Sequence, residues 1–121
     1  KKLKKMYPSI VCLALLDDKS ETMVGKLVEN VCAVNSGSKF FWRDAFKDEV
    51  DLVLEKDKVL MPIEVKYQNS PSVSKGIEKF SKKYGCKSAI VVTKNLKKTV
   101  QNGQLTIHYM PAFEFLLKYS V

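Results

Sequence analysis

The sequence predicts an α/β domain, a mixed central sheet flanked by helices with an αβββαβ core, and three observations carry that prediction. Three β-prone stretches follow one another between Lys39 and Tyr67. Apolar residues at helical spacing lie on either side of them. Further on, Lys87 to Thr93 (KSAIVVT) has a continuous apolar centre, as a strand covered on both faces does. At 121 residues the chain suits one domain over residues 1–121, long enough to bury a core without disulfides.

In chain order, a basic run from Lys1 to Lys5 leads into Met6 to Leu16, whose short apolar run fits either a strand or a buried helix. Val24, Leu27, Val28 and Val31 recur at helical spacing, which predicts a helix to about Val34, ended by Asn35-Ser36-Gly37-Ser38. Glu29 lies beside that apolar stripe, and Gly25, one turn earlier, lets this flank approach a neighbour closely. Lys39 to Arg43 (KFFWR) reads as a strand and Asp44 to Lys47 as a turn. Two more strands lie in Asp48 to Gln68 (DEVDLVLEKDKVLMPIEVKYQ), and Gln68 to Val73 is a loop. Val73, Ile77, Phe80 and Tyr84 mark a second amphipathic helix that Gly85 terminates. Its outer face carries Lys75, Lys79, Lys82 and Lys83.

After the strand at Lys87 to Thr93, Lys94 to Gly103 reads as a basic, turn-containing connection. Leu105 to Tyr109 is a last short strand, and Pro111 opens a terminal helix to Tyr119 from its first position. The order is helix, three strands, helix, strand, strand, helix. Lys39 to Tyr67 forms the antiparallel part of the sheet, with Lys87 to Thr93 parallel beside it.

Lys+Arg outnumber Asp+Glu by 21 to 13, giving a net charge of +8 and a pI near 9.4. Such an excess favours polyanionic partners, nucleic acid first and an anionic membrane surface second; the plain alternative is a solvated lysine-rich surface. Cys12, Cys32 and Cys86 are too few and scattered for a disulfide framework or a zinc site, and read as small core residues in a reducing cytoplasm. The apolar run Ile10 to Leu16 is far too short to span a bilayer. The chain opens on Lys-Lys without an initiator methionine, which predicts a domain cut from a longer protein.

The acidic residues within the central strands carry the chemistry. Asp51 lies among Val50, Leu52, Val53 and Leu54, and Glu64 and Lys66 lie among Ile63, Val65 and Tyr67. Ionised carboxylates in such company are costly unless paired or bound to a metal. If Asp57 and Lys58 form a two-residue hairpin loop, Lys56 pairs with Val59 and Asp51 falls opposite Glu64. Both carboxylates and the Lys66 ammonium then share one face. A three-residue loop moves Asp51 opposite Ile63 instead, and Pro62 complicates the count because a strand proline usually marks an edge or bulge. Two converging carboxylates offer Mg²⁺ or Mn²⁺ the hard oxygen ligands it prefers, with Lys66 near enough to orient water. The competing reading is a wet polar strand face with Glu64 and Lys66 as a minor ion pair.

The blocks GKLVENVCAV, FFWRD, EVDLVL, MPIEVKY and SAIVVTKN, in that order, resemble the PD-(D/E)XK nuclease superfamily with its restriction-endonuclease-like fold. More narrowly, they resemble the C-terminal domain attached to many archaeal and bacterial AAA-type ATPases. The resemblance implies an active site of Glu29, Asp51, Glu64 and Lys66, a metal ligand in the Val65 main-chain carbonyl, and assistance from Gln68. Val50 stands where the superfamily's motif has proline. The implied activity is Mg²⁺- or Mn²⁺-dependent hydrolysis of DNA. Arg43, Lys75, Lys79, Lys82, Lys83, Lys94, Lys97 and Lys98 are candidate phosphate contacts, an upstream ATPase domain is the implied neighbour, and self-association stays open. The alternative is a non-catalytic nucleic-acid-binding or docking module of such an ATPase.

Other motifs carry less. Phe40, Phe41 and Trp42 are expected in the core rather than stacked on bases. His108, the one histidine, cannot build a zinc site and is expected to be structural. Ser36-Gly37-Ser38 lacks a base partner, and Gly25-Lys26 is no phosphate loop because Ser20 stands where the first glycine is required.

Overall fold

A computed structural model describes residues 4–5, 21–37, 40–69 and 73–119. Strands β1 (Lys4–Lys5), β2 (Phe40–Arg43), β3 (Glu49–Lys56), β4 (Val59–Val65), β5 (Ser88–Thr93), β6 (Lys98–Asn102) and β7 (Leu105–Pro111) form one sheet. Their order is β1-β2-β3-β4-β5-β7-β6. Helices α1 (Glu21–Ser36), α2 (Lys75–Tyr84) and α3 (Ala112–Lys118) cover it. The pairs from β1 to β4 are antiparallel, β5 runs parallel to both β4 and β7, and β6 returns antiparallel to β7. The expected mixed α/β sheet, with an antiparallel half joined to a parallel strand at Lys87–Thr93, is the one formed. The segment Met6 to Leu16 and Cys12 lie outside the described residues.

Strand alternation sends side chains to two cores. On one side Ile77 and Phe80 of α2 pack with Trp42, Val50, Val53, Ala89, Val91, Ile107 and Tyr109. On the other, Cys32 and Ala33 of α1 and Phe115 of α3 pack with Leu52, Ile63, Ile90 and Val92. Cys32, Cys86 and Trp42 are buried as expected. His108 sits mid-strand on β7, between Ile90 and Thr99.

The β3–β4 turn settles the register question. Asp57 and Lys58 both have positive φ, 54° and 65°, the pattern of a two-residue I′ loop whose twist suits a hairpin. Lys56 pairs with Val59, and the register runs without a bulge past Val53–Pro62 to Leu52–Ile63. Pro62 is accommodated because the ladder to β5 begins only at Ile63. The irregularity falls between β2 and β3 instead, where the register shifts between Phe40 and Trp42.

Four local expectations need correction. The segment read as a connection from Lys94 to Gly103 contains the edge strand β6, whose exposed, polar KTVQN hides the period of a half-buried strand. Among the described side chains of α1, Asn30, Cys32 and Ala33 are buried and Val28 packs half-buried against the core, while Val31 and Val34 are exposed, so the packed face includes only part of the apolar stripe. At Gly25 a Cβ would meet none of the described residues within 4 Å, so none of these makes a close approach there. Pro111 ends β7 and caps α3 rather than occupying its first turn.

The close helix contact lies at Gly76 in α2. A Cβ there would come within 2.0 Å of the Glu49 carbonyl oxygen, so only glycine lets α2 lie this near the start of β3. Ser74 caps α2, its hydroxyl accepting from the Ile77 N–H, and Gly85, at φ 65°, closes the helix with its N–H on the Ser81 carbonyl.

Candidate functional site

The site forms where β3 and β4 part. The last backbone pair is Leu52–Ile63, and at the next step the Asp51 side chain replaces the ladder: Val65 N–H donates to Asp51 Oδ2 at 3.0 Å. Asp51 thus does structural work as well as carrying charge, holding the end of β4 with its carboxylate. Glu64 occupies the neighbouring step. Its Oε1 accepts from the Ser74 N–H at 3.1 Å, which ties β4 to the entrance of α2. Its Oε2 lies 3.9 Å from Lys66 Nζ.

Glu29 completes the group from α1. Burial and then the Glu29 charge push the Asp51 carboxyl up to about 7; the Val65 N–H pulls it down, and Glu64 and Glu49 raise it further. A raised acid is what burial beside like charges produces. The Tyr109 hydroxyl is also pushed up, by burial and then by Glu64, which places Glu64 on the α2 side of the sheet. Asp51 thus feels the Glu29 and Glu64 charges, and Glu64 pairs with Lys66.

The remaining predicted residues divide. Gln68 is exposed just past β4, and its carbonyl accepts from the Lys94 N–H at 3.1 Å, binding the ends of β4 and β5 together. Asn69 reinforces this junction, its Oδ1 accepting from the Asn95 and Leu96 N–H groups. Lys75, first residue of α2, and Lys94 lie at this end of the sheet, and both are exposed. Lys82 and Lys83 sit about 10–12 Å further along α2, toward its far end. Arg43 pairs with Glu49 at 3.3 Å. Lys97 pairs with Glu114 at 2.6 Å, and Lys98 lies 5.5 Å from the Tyr109 ring.

Lys79 departs most from its expected role as a phosphate contact. Its ammonium bridges Asp44, at 2.9 Å, and Asp48, and stands 5.0 Å from the centre of the Phe46 ring. Sequence reasoning missed Ser74 and Asp44. The local signal for both was the ability of a short polar side chain to bond backbone N–H groups at a helix start or a turn.

Carboxylate oxygens are the donors that a hard divalent cation prefers. Among the described residues, no group of three or more His, Cys, Asp or Glu is placed so that it could hold a metal ion.

Among the described residues no helix is long and apolar enough to cross a membrane. No curated protein and no solved structure matches the chain. A family model, "Domain of unknown function (DUF4143)", matches residues 21–113, which takes in every element from α1 to the start of α3. The chain belongs to this DUF4143 family, whose members are found at the C-terminus of AAA-type ATPases.

Proposed function

We propose that Glu29, Asp51, Glu64 and Lys66 form the Mg²⁺- or Mn²⁺-dependent site of a phosphodiesterase acting on DNA. The observation that carries this reading is the crowding of Asp51 by Glu29 and Glu64 beside one lysine, at the parted ends of two strands. Such a negative cluster is destabilised unless a cation offsets it. Asp51 and Glu64 would ligate the ion, Glu29 directly or through water, and the Val65 carbonyl and Gln68 are assigned by the resemblance to PD-(D/E)XK nucleases. When bound, the ion supplies Lewis-acid polarisation of a phosphoryl oxygen.

The protein's own residues supply position and charge. Lys66 orients the attacking water and offsets negative charge in the transition state. Lys75 and Lys94 hold the phosphates on either side of the scissile bond, which makes binding salt-dependent. The test is incubation of supercoiled and branched DNA with Mn²⁺, against an Asp51→Asn control. Metal-dependent cleavage lost in the variant supports the reading; no cleavage by the wild-type chain on any substrate contradicts it.

A second reading is a non-catalytic docking or nucleic-acid-binding module of an AAA-type ATPase. What favours it is that Asp51 Oδ2 and Glu64 Oε1 already accept backbone N–H groups, so both acids have a structural use without a metal. DNA binding that is unchanged in Asp51→Asn, with no cleavage, identifies it.

A further inference from the structure

We infer that Phe46 is a fixed aromatic platform on which an unpaired base of single-stranded or branched nucleic acid stacks. The inference rests on the nucleic-acid part of the reading above and specifies which strand form the surface takes.

Phe46 is 82% exposed, at the tip of the β2–β3 turn. An exposed phenylalanine is ordinary when the loop carrying it is free to move. Here the turn is fastened from several directions. Asp44 Oδ1 accepts from the Phe46 N–H at 2.9 Å and from the Asp48 N–H at 3.0 Å. The backbone closes through Asp44 N–H on the Asp48 carbonyl and Lys47 N–H on the Asp44 carbonyl. Lys79 of α2 clamps both carboxylates, and Gly76 seats α2 against Glu49 at the end of the turn. The ring is therefore presented without the ordering cost that a mobile loop would incur on binding.

The surroundings select the partner. Lys79 lies 5.0 Å from the ring centre, an arrangement in which cation, ring and base can stack in series. Asp44 and Asp48 are committed to Lys79, and Glu49 to Arg43. Beyond these pairs, the turn and the exposed face of α2 carry Lys47, Lys75, Lys82 and Lys83 against Glu78. An apolar protein partner would gain little from that field, whereas a polyanion with exposed π-faces gains from both elements. The platform is also near the candidate site: Lys79 is five residues beyond Ser74, which holds Glu64, or about 7.5 Å along the helix. A strand leaving the site along α2 passes the ring within a few nucleotides. Duplex DNA, with its bases stacked on one another, has no face to offer it.

Fluorescence anisotropy with labelled single-stranded and duplex oligonucleotides of equal length tests this, using wild type, Phe46→Ala and Phe46→Trp. Phe46→Ala is expected to weaken single-strand binding roughly 5- to 100-fold and to leave duplex binding within about 2-fold. Phe46→Trp is expected to restore single-strand binding, with quenching of the added indole. Unchanged melting of Phe46→Ala confirms that the fold is intact. Equal single-strand affinity of wild type and Phe46→Ala overturns the platform and leaves the nuclease reading standing. Selective loss of single-strand binding without any cleavage upholds the platform and defeats the nuclease reading. Failure of the wild-type chain to bind either oligonucleotide at low salt defeats both.

Discussion

Two groups of carboxylates flank the beginning of β3, and they are handled in opposite ways. Asp44 and Asp48, in the turn before it, share one ammonium. Burial pushes the Asp44 carboxyl up, but the Lys79 hydrogen bond and the N–H groups of Asp48 and Phe46 outweigh it, so the carboxyl lies below its usual range. Asp51 instead accepts from a backbone N–H, that of Val65. Burial and Glu29 hold its carboxyl up to about 7, against the pull of one backbone N–H. Separated by little chain and similar in composition, the two groups teach that acid count does not mark a reactive site. The cancelled cluster fixes a turn, while at the proposed site the Glu29, Glu64 and Glu49 charges store repulsion against the Asp51 carboxyl.

Removing the stored repulsion should give the largest effect. Because the folded-state carboxyl is raised from 3.8 to about 7, the stability tied to the neutral acid is fully present below about pH 4 and is lost as pH rises toward 7. The difference amounts to at most about 4 kcal/mol. Asp51→Asn keeps an acceptor for Val65 and should flatten this decline, so that urea unfolding finds it more stable than wild type at pH 8 and similar at pH 4. Asp51→Ala, which strands that N–H, should lose about 1–3 kcal/mol at pH 4 and less at pH 8, where it also removes the ionised carboxyl. A wild-type stability that does not fall between pH 4 and 7 would erase the contrast between the clusters.

The cancelled cluster is broken next most effectively through its backbone. Gly76→Ala drives a methyl into the Glu49 carbonyl and should cost about 1–3 kcal/mol by overpacking. The opposite sign, the gain expected of Gly→Ala in an unobstructed helix, would show that α2 can slide away. Ser74→Ala removes the hydroxyl cap of α2 and should cost about 1 kcal/mol in thermal unfolding. The smallest effect belongs to Lys79→Met. It should lower the melting temperature at neutral pH, and the difference should shrink as pH falls through the depressed Asp44 range, where that contribution is lost, and as salt screens the pair.

Much of this arrangement was legible in the residues. The Asp57-Lys58 loop fixes a hairpin register that follows from counting, and Ile77, Phe80 and Gly85 mark α2 by spacing and by the demand for positive φ. Edge strand β6 escaped because an exposed strand on a basic surface need not alternate. Val31 misled because apolar spacing does not say which flank of a stripe packs: Cys32 and Ala33 are buried and Val31 is not. The Asp51 to Val65 hydrogen bond was not foreseeable, since register arithmetic places side chains but does not reveal that a carboxylate takes a backbone rung. Nor did spacing disclose that Lys79, one lysine among many, is committed to Asp44 and Asp48.

The central claim is that Glu29, Asp51 and Glu64 are held together at a cost that a divalent ion relieves. Calorimetric titration of Mn²⁺ into the chain at pH 6.5 tests it most directly. The account predicts one ion per chain, bound with release of a fraction of a proton from Asp51, and both signals abolished in Asp51→Asn. Millimolar Mn²⁺ that produces no saturable heat, or binding undiminished in Asp51→Asn, would contradict it.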